Sequence, residues 1–157
     1  MDRDKLISII NEIYPSTYGY LWTDQGEKYL SQIYSMENLT LELKDSESPY
    51  YFITHHSEIV GILKFRKELP KQHIRLQRIY IHPKHQGKSI GKALFGWIEK
   101  TYQSDFQTVS LEVMKSESKA IRFYEKMGMQ LVGNSSLNFN HLIPEFKQTL
   151  IYQKQLK

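Results

Sequence analysis

The spacing of apolar positions changes period several times along the 157 residues. Leu6, Ile9, Ile10 and Ile13 recur at helical spacing, which predicts a helix over 4–13 that Pro15 ends. A second helix is predicted over 23–35, capped by Thr23 or Asp24, with Leu30, Ile33 and Tyr34 on its buried face. Tyr14, Tyr18, Tyr20 and Trp22 cluster between the two. From Asn38 the period is two, and Leu39, Leu41 and Leu43 predict a strand. A turn at 46–49 leads to strands at 50–55 and 59–66, joined by a hairpin turn at 56–58. A loop at 69–73 precedes a strand that holds Leu76, Ile79 and Ile81 and ends at Pro83. After Ser89 the helical period returns through Ala93, Leu94, Trp97, Ile98 and Tyr102. Val109, Leu111 and Val113 alternate within 108–114, and Ser118 caps a short helix that stops at Gly128, a residue suited to a left-handed helix end. Residues 131–139 and 146–156 close the chain as strands. Hairpins followed by crossover helices predict an α/β (α+β) domain over 1–157 with a mixed, mostly antiparallel sheet of about seven strands.

Composition narrows the chemistry. Apolar residues at 40% and aromatics at 13% supply a folded core. The absence of cysteine excludes a disulfide framework, a thiolate zinc site and a cysteine nucleophile. No apolar run approaches the roughly 18 residues of a membrane span, and the N-terminal stretch lacks a signal-peptide core. A soluble cytoplasmic protein with no membrane partner, monomeric or homodimeric, is the expectation. The net charge of +4 hides a division: residues 1–63 carry −6, residues 64–92 carry +8, and residues 93–157 carry +2. The basic block suits a polyanion such as nucleic acid, a membrane surface or a phosphorylated cofactor, or else it is a solvated basic face.

The informative stretch runs from Leu76 to Leu94. A strand enters a short loop with Gly87 and Gly91, and a helix begins there. Glycine admits close approach of a ligand to backbone, and a helix start leaves amides unpaired in a positive field, so the spot suits a phosphate or pyrophosphate. Lys84, Lys88 and Lys92 surround it. It is neither of two nucleotide motifs. The Gly87-Lys88-Ser89 frame has His82 where a P-loop needs its first glycine, and the stretch holds two glycines where a dinucleotide fingerprint needs three.

This stretch resembles the acetyl-CoA loop of the GNAT superfamily of N-acetyltransferases, whose motif Gln/Arg-x-x-Gly-x-Gly/Ala follows a strand ending Tyr-Val-x-Pro. Here the strand ends Tyr80-Ile81-His82-Pro83 and the loop reads Gln86-Gly87-Lys88-Ser89-Ile90-Gly91, with Ser89 in place of the first required glycine. A serine with ordinary φ would still donate its amide and could cap the helix. Leu111-Glu112-Val113 followed by Ala120 to Met129 is similar to the family's next strand and helix, and Leu150-Ile151-Tyr152 to its last strand. Within the superfamily, the Arg78-Ile79-Tyr80-Ile81 strand and the Tyr124 to Gly128 helix end look most like bacterial spermidine/spermine acetyltransferases.

The resemblance implies a mixed sheet with a central parallel split that takes acetyl-CoA as co-substrate. The pantetheine arm would pair with the backbone edge at Ile79 and Ile81, and the amide of Ile81 would polarise the thioester. Amides of Gln86, Gly87, Lys88, Ser89, Ile90, Gly91 and Lys92 would hold the pyrophosphate. The family's cofactor-contacting asparagine is Glu117 here. Tyr124 matches the family's general acid, whereas its apolar helix face by itself reads as core. Glu112 is the preferred base, pointing away from Val109, Leu111 and Val113, and on residues alone it is equally a solvated strand carboxylate. Glu42 is the second candidate base by alternation on an earlier strand. Gln77 stands where many relatives carry a glutamate and cannot accept a proton at neutral pH.

The implied activity is acetyl transfer from acetyl-CoA to a primary amine, such as a polyamine or another small amine, by direct attack in a ternary complex. The acidic N-terminal third fits a cationic acceptor. Alternatives are a protein N-terminal acetyltransferase of the ribosomal-protein type and a non-catalytic CoA-binding regulator. About six residues between the last two strands, 140–145, would leave room for a peptide. Nucleic acid is not expected as a partner, because the basic block offers only Phe65 and Tyr80 for stacking on bases. No metal is expected: His55 with His56, and His82 with His85, lack a third ligand.

Overall fold

A computed structural model describes residues 1–156. The elements are α1 (Arg3–Tyr18), α2 (Glu27–Ile33), α3 (Met36–Glu42), β1 (Tyr50–His55), β2 (Glu58–Glu68), β3 (His73–Ile81), α4 (Ile90–Tyr102), β4 (Thr108–Met114), α5 (Ser118–Lys126), β5 (Gln130–Ser136) and β6 (Gln148–Gln155). One sheet runs β1-β2-β3-β4-β6-β5, antiparallel at every pairing except β3 with β4. This is the mixed α/β architecture expected, with six strands where about seven were expected.

The missing strand is α3. Ser35 accepts the Asn38 amide at 3.2 Å and caps a helix. Leu39 and Leu43 then share one face, and Leu41, at 62% exposure, projects to solvent. A spacing of two and a spacing of four coincide over so short a run, and the cap decides between them. Pro15 does not end the first helix. It lacks an amide to give, yet α1 continues to Tyr18, whose ring packs against Tyr14 at 5.2 Å. The helix expected over 23–35 is a turn followed by α2, with Asp24 accepting the amides of Gly26 and Lys28 at 3.1 Å each.

The sheet separates two apolar layers. On one side, Leu6, Ile10, Leu39 and Ile62 pack beneath α1 and α3. On the other, Leu63, Phe65, Leu76, Val109 and Leu111 pack beneath α4, with Phe95 and Ile98. Alternation along β2 explains the division: Ile62 and Lys64 face the first layer, Leu63 and Phe65 the second. Lys64 tolerates its burial because its ammonium meets Glu42 at 3.0 Å.

Candidate active site

β3 and β4 run parallel and pair only from His73 with Thr108 to Leu76 with Leu111. Beyond Leu76 they diverge. A bulge at Gln77 shifts the register against β2, where Lys64 faces Arg78 and Phe65 faces Leu76. The His82 amide donates to the Val60 carbonyl at 2.8 Å, so alternation turns the backbone of Ile81, and of Ile79 two residues before it, away from β2 and into the gap. The Ile81 carbonyl there accepts the Gln86 side-chain amide at 3.2 Å.

At the outer end of β3, Pro83–His85 form one tight turn, and Gly87 and Ser89 adopt φ of +75° and +60°. The backbone so curled leaves donors pointing outward. The Gln86 amide is spent on the Pro83 carbonyl and the next paired amide is that of Ala93, on the Ser89 carbonyl at 3.1 Å. Among the described residues, the amides of Gly87 to Lys92 find no acceptor. Lys84, Lys88 and Lys92 are exposed there and make no ion pair among the described residues. Their charge registers on His85, whose pKa is lowered by partial burial first and then by Lys88 and Lys84. Ser89 is not a side-chain cap: its positive φ turns the hydroxyl away from that role. Gly91 is needed for packing, since a Cβ there would stand 2.8 Å from Phe123 Cζ.

The gap opens inward onto a cavity of about 250 Å³. Ile79, Leu111 and Val113 form its floor, and Tyr124, Glu112 and Glu117 border it. Tyr124 makes no hydrogen bond among the described residues, and its pKa is pushed up to about 12 by burial and then by the Glu117 charge. The phenol therefore keeps its proton at neutral pH. Glu112 accepts the hydroxyl of buried Thr149 on β6. Glu117 accepts the hydroxyl of Tyr20, which also meets the Ser116 hydroxyl at 3.2 Å.

A third wall is aromatic. Tyr14, Tyr18, Trp22 and Tyr29 come from the N-terminal helices and their connection, and Phe139 comes from the segment between β5 and β6. That segment covers 137–147, longer than the 140–145 expected. It is strapped down by a Trp22–Leu142 bridge, by the Thr23 amide on the His141 carbonyl at 2.8 Å, and by the Ile143 amide on the Leu21 carbonyl at 2.9 Å.

A family model described as the acetyltransferase (GNAT) family matches residues 7–129. The chain belongs to the acetyltransferase (GNAT) family. It is an acyltransferase, and its fold is the GNAT fold. It is 25% identical over 136 residues to an uncharacterised N-acetyltransferase of Lactobacillus delbrueckii subsp. lactis, covering 82% of this chain and 79% of that protein. It is also 25% identical over 144 residues to a spermidine N(1)-acetyltransferase of Thermoplasma acidophilum, covering 88% of each chain. Among solved structures, the PaiA N-acetyltransferase of Thermoplasma acidophilum in complex with coenzyme A superposes with a TM-score of 0.77 at 22% identity, over 98% of this chain and 92% of that one.

Within this GNAT chain the two sides of the site differ from expectation in instructive ways. Glu42 ends α3 and is on no strand. Arg78 holds its carboxylate at 2.8 Å and Lys64 at 3.0 Å, and it does not border the cavity, so it is not placed to take a substrate proton. The acidic excess of residues 1–63 does not line the cavity. Glu12 meets His82 at 3.1 Å, Asp45 meets Arg66 at 3.2 Å, and the carboxylates bordering the cavity are Glu112 and Glu117. Gln77 borders the cavity and receives the Ser48 hydroxyl at 3.1 Å. Tyr29, Tyr80 and Phe139 were not singled out as cavity residues in the sequence. Alternation against Ile79 and Ile81 could have marked Tyr80, whose hydroxyl meets that of Tyr34 at 2.7 Å. Nothing local marks Phe139. Among the described residues no three His, Asp or Glu side chains are grouped to hold a metal ion, and no helix is long and apolar enough to cross a membrane.

Proposed function

We propose that this acetyltransferase uses acetyl-CoA and a small primary amine, both held in the split between β3 and β4. The observation that carries this reading is Tyr124, a protonated phenol with no hydrogen-bond partner among the described residues, bordering the same cavity as Glu112. The loop residues fit the cofactor. Free amides from Gly87 to Lys92, inside a ring of three unpaired lysines, suit a pyrophosphate. The backbone of Ile79 and Ile81 is the free edge for an amide-bearing arm. Acetyl-CoA supplies the acetyl group as an activated thioester.

The residues of the chain manage the protons. An alkylammonium of pKa about 10.4 is only about 0.04% neutral at pH 7, so the acceptor must lose a proton. Glu112 is the cavity carboxylate that takes it, directly or through water. Tyr124 holds at its hydroxyl the proton that a departing thiolate needs. The strapped 137–147 segment and the aromatic wall favour a small acceptor over a peptide chain.

A thiol-release assay with acetyl-CoA against a panel of small amines and N-terminal peptides tests this. Turnover with small amines is expected. Coenzyme A binding without turnover of any amine or peptide would indicate a regulator, and turnover of peptides alone would indicate a protein N-terminal acetyltransferase.

A further inference from the structure

We propose that the acceptor is a monoamine with an apolar or aromatic body, and that Glu117 receives its ammonium group. This rests on the reading of the chain as an acetyl-CoA-dependent acetyltransferase of small amines.

Glu117 stands where β4 hands over to α5. Its amide donates to the Met114 carbonyl at 2.9 Å and its carbonyl accepts the Ile121 amide at 2.9 Å, which fixes the backbone at the cavity wall. The carboxylate borders the same cavity as Tyr18 and Tyr124 and accepts the Tyr20 hydroxyl, so it lies among three phenols from separate parts of the chain, whose pKa values are raised by burial first, with its charge adding to each. A carboxylate accepts hydrogen bonds and cannot donate them. Its side-chain partner here is one neutral hydroxyl, that of Tyr20, and among the described residues no lysine, arginine or histidine pairs with it. It is therefore a charge at the cavity wall that lacks a cation.

With Glu112 assigned to the proton of the attacking nitrogen, Glu117 is the remaining cavity carboxylate for a cation. Besides Glu112 and Glu117, its charged group is Arg78, whose guanidinium is bound to Glu42 and lies 4.7 Å from the Tyr34 ring centre. That positive group opposes a second ammonium. The aromatic wall does not compensate as an open cage for cations. Tyr29 stacks on Trp22 at 4.7 Å and on Tyr14 at 5.3 Å, so these faces are spent on one another. Their outer surfaces, with Leu137, Leu142 and Phe139, present apolar area to the body of the acceptor.

The test is steady-state kinetics with phenethylamine, butylamine and spermidine at saturating acetyl-CoA, for wild type, Glu117→Gln and Glu117→Asp, with coenzyme A affinity measured by calorimetry. Wild type is expected to favour phenethylamine over spermidine in kcat/KM by about tenfold or more. Glu117→Gln is expected to raise the phenethylamine KM about tenfold or more while leaving coenzyme A affinity unchanged, and Glu117→Asp to recover part of it. A preference for spermidine would overturn the proposed substrate class, and an unchanged amine KM in Glu117→Gln would overturn the role of Glu117. Equal losses of amine and coenzyme A affinity would return Glu117 to the cofactor side. Failure of wild type to turn over any amine would overturn the proposed function itself. If Glu117→Gln does not fold, the wild-type substrate ratio and Glu117→Asp still decide.

Discussion

The loop from Pro83 to Lys92 is the cofactor end of the proposed site and the wall built from Tyr14 to Tyr34 its acceptor end, and the two are made by different means. The loop is local. Every donor comes from consecutive backbone amides, its lysines are exposed, and no side chain is needed in a fixed pose. The wall is non-local. Tyr29 packs against Tyr14 at 5.3 Å and against Phe139, more than a hundred residues further along the chain, at 5.5 Å. Backbone geometry suits an invariant anionic group, which any sequence with the right turn can cradle. A packed aromatic wall suits a variable partner, because each ring can change without disturbing the loop.

Four substitutions sharpen this contrast, taken from the largest expected effect to the smallest. Tyr124→Phe sits where the two ends meet and is expected to lower kcat by about 10²-fold or more, with coenzyme A affinity unchanged by calorimetry. Because the Tyr124 phenol holds its proton to about pH 12, the wild-type rate is expected to rise with pH as the amine deprotonates, with no falling limb from this group below that value. Gly91→Ala places a Cβ against Phe123 and is expected to cost about 1–3 kcal/mol in urea unfolding, partly recovered by adding Phe123→Leu. That outcome would make the missing side chain of the second loop glycine a packing requirement, while its amide stays free for a ligand. Replacing Lys84, Lys88 and Lys92 together by alanine is expected to weaken coenzyme A binding by up to about fivefold per lysine and to flatten its salt dependence, with the amine KM unmoved. A change in amine KM would break the separation of the two ends. Ser89→Gly relieves a left-handed backbone and is expected to stabilise the fold by about 1 kcal/mol in the same urea titration.

The two regions were also unequally legible in the sequence. The loop could be read because its signal is contiguous: Gln86, Gly87 and Gly91 after a strand, within the basic block. Even there the local reasons shifted. The hydroxyl of Ser89 reads as a good helix cap, yet its φ is +60° and it makes no cap bond, while Gly91 answers to Phe123, a residue met 32 positions later. Tyr124 and Glu112 could be named from motifs, and the fold brings both to one cavity. The wall could not be assembled from periodicity. Pro15 masked the last turn of α1, the Leu39-Leu41-Leu43 run hid α3, and Phe139 reaches the site only because its segment is strapped to Leu21, Trp22 and Thr23. Charge counted by segment misled for a related reason. Among the acids of residues 1–63, Glu12 pairs with His82, Asp45 with Arg66, and Glu42 with Arg78 and Lys64, partners that sequence distance conceals.

The claim that one split serves two ligands from its two ends is tested most directly by NMR titration of the labelled protein with coenzyme A and with phenethylamine, each alone and then together. Coenzyme A is expected to shift the amides of Gly87 to Lys92 and of Ile79 and Ile81, and to raise the pKa of His85 as the lysine charge is neutralised. The amine is expected to shift the ring signals of Tyr18, Tyr29 and Phe139, with overlap confined to the surroundings of Tyr124. An amine that perturbs the loop amides, or coenzyme A that leaves them in place, would contradict the account.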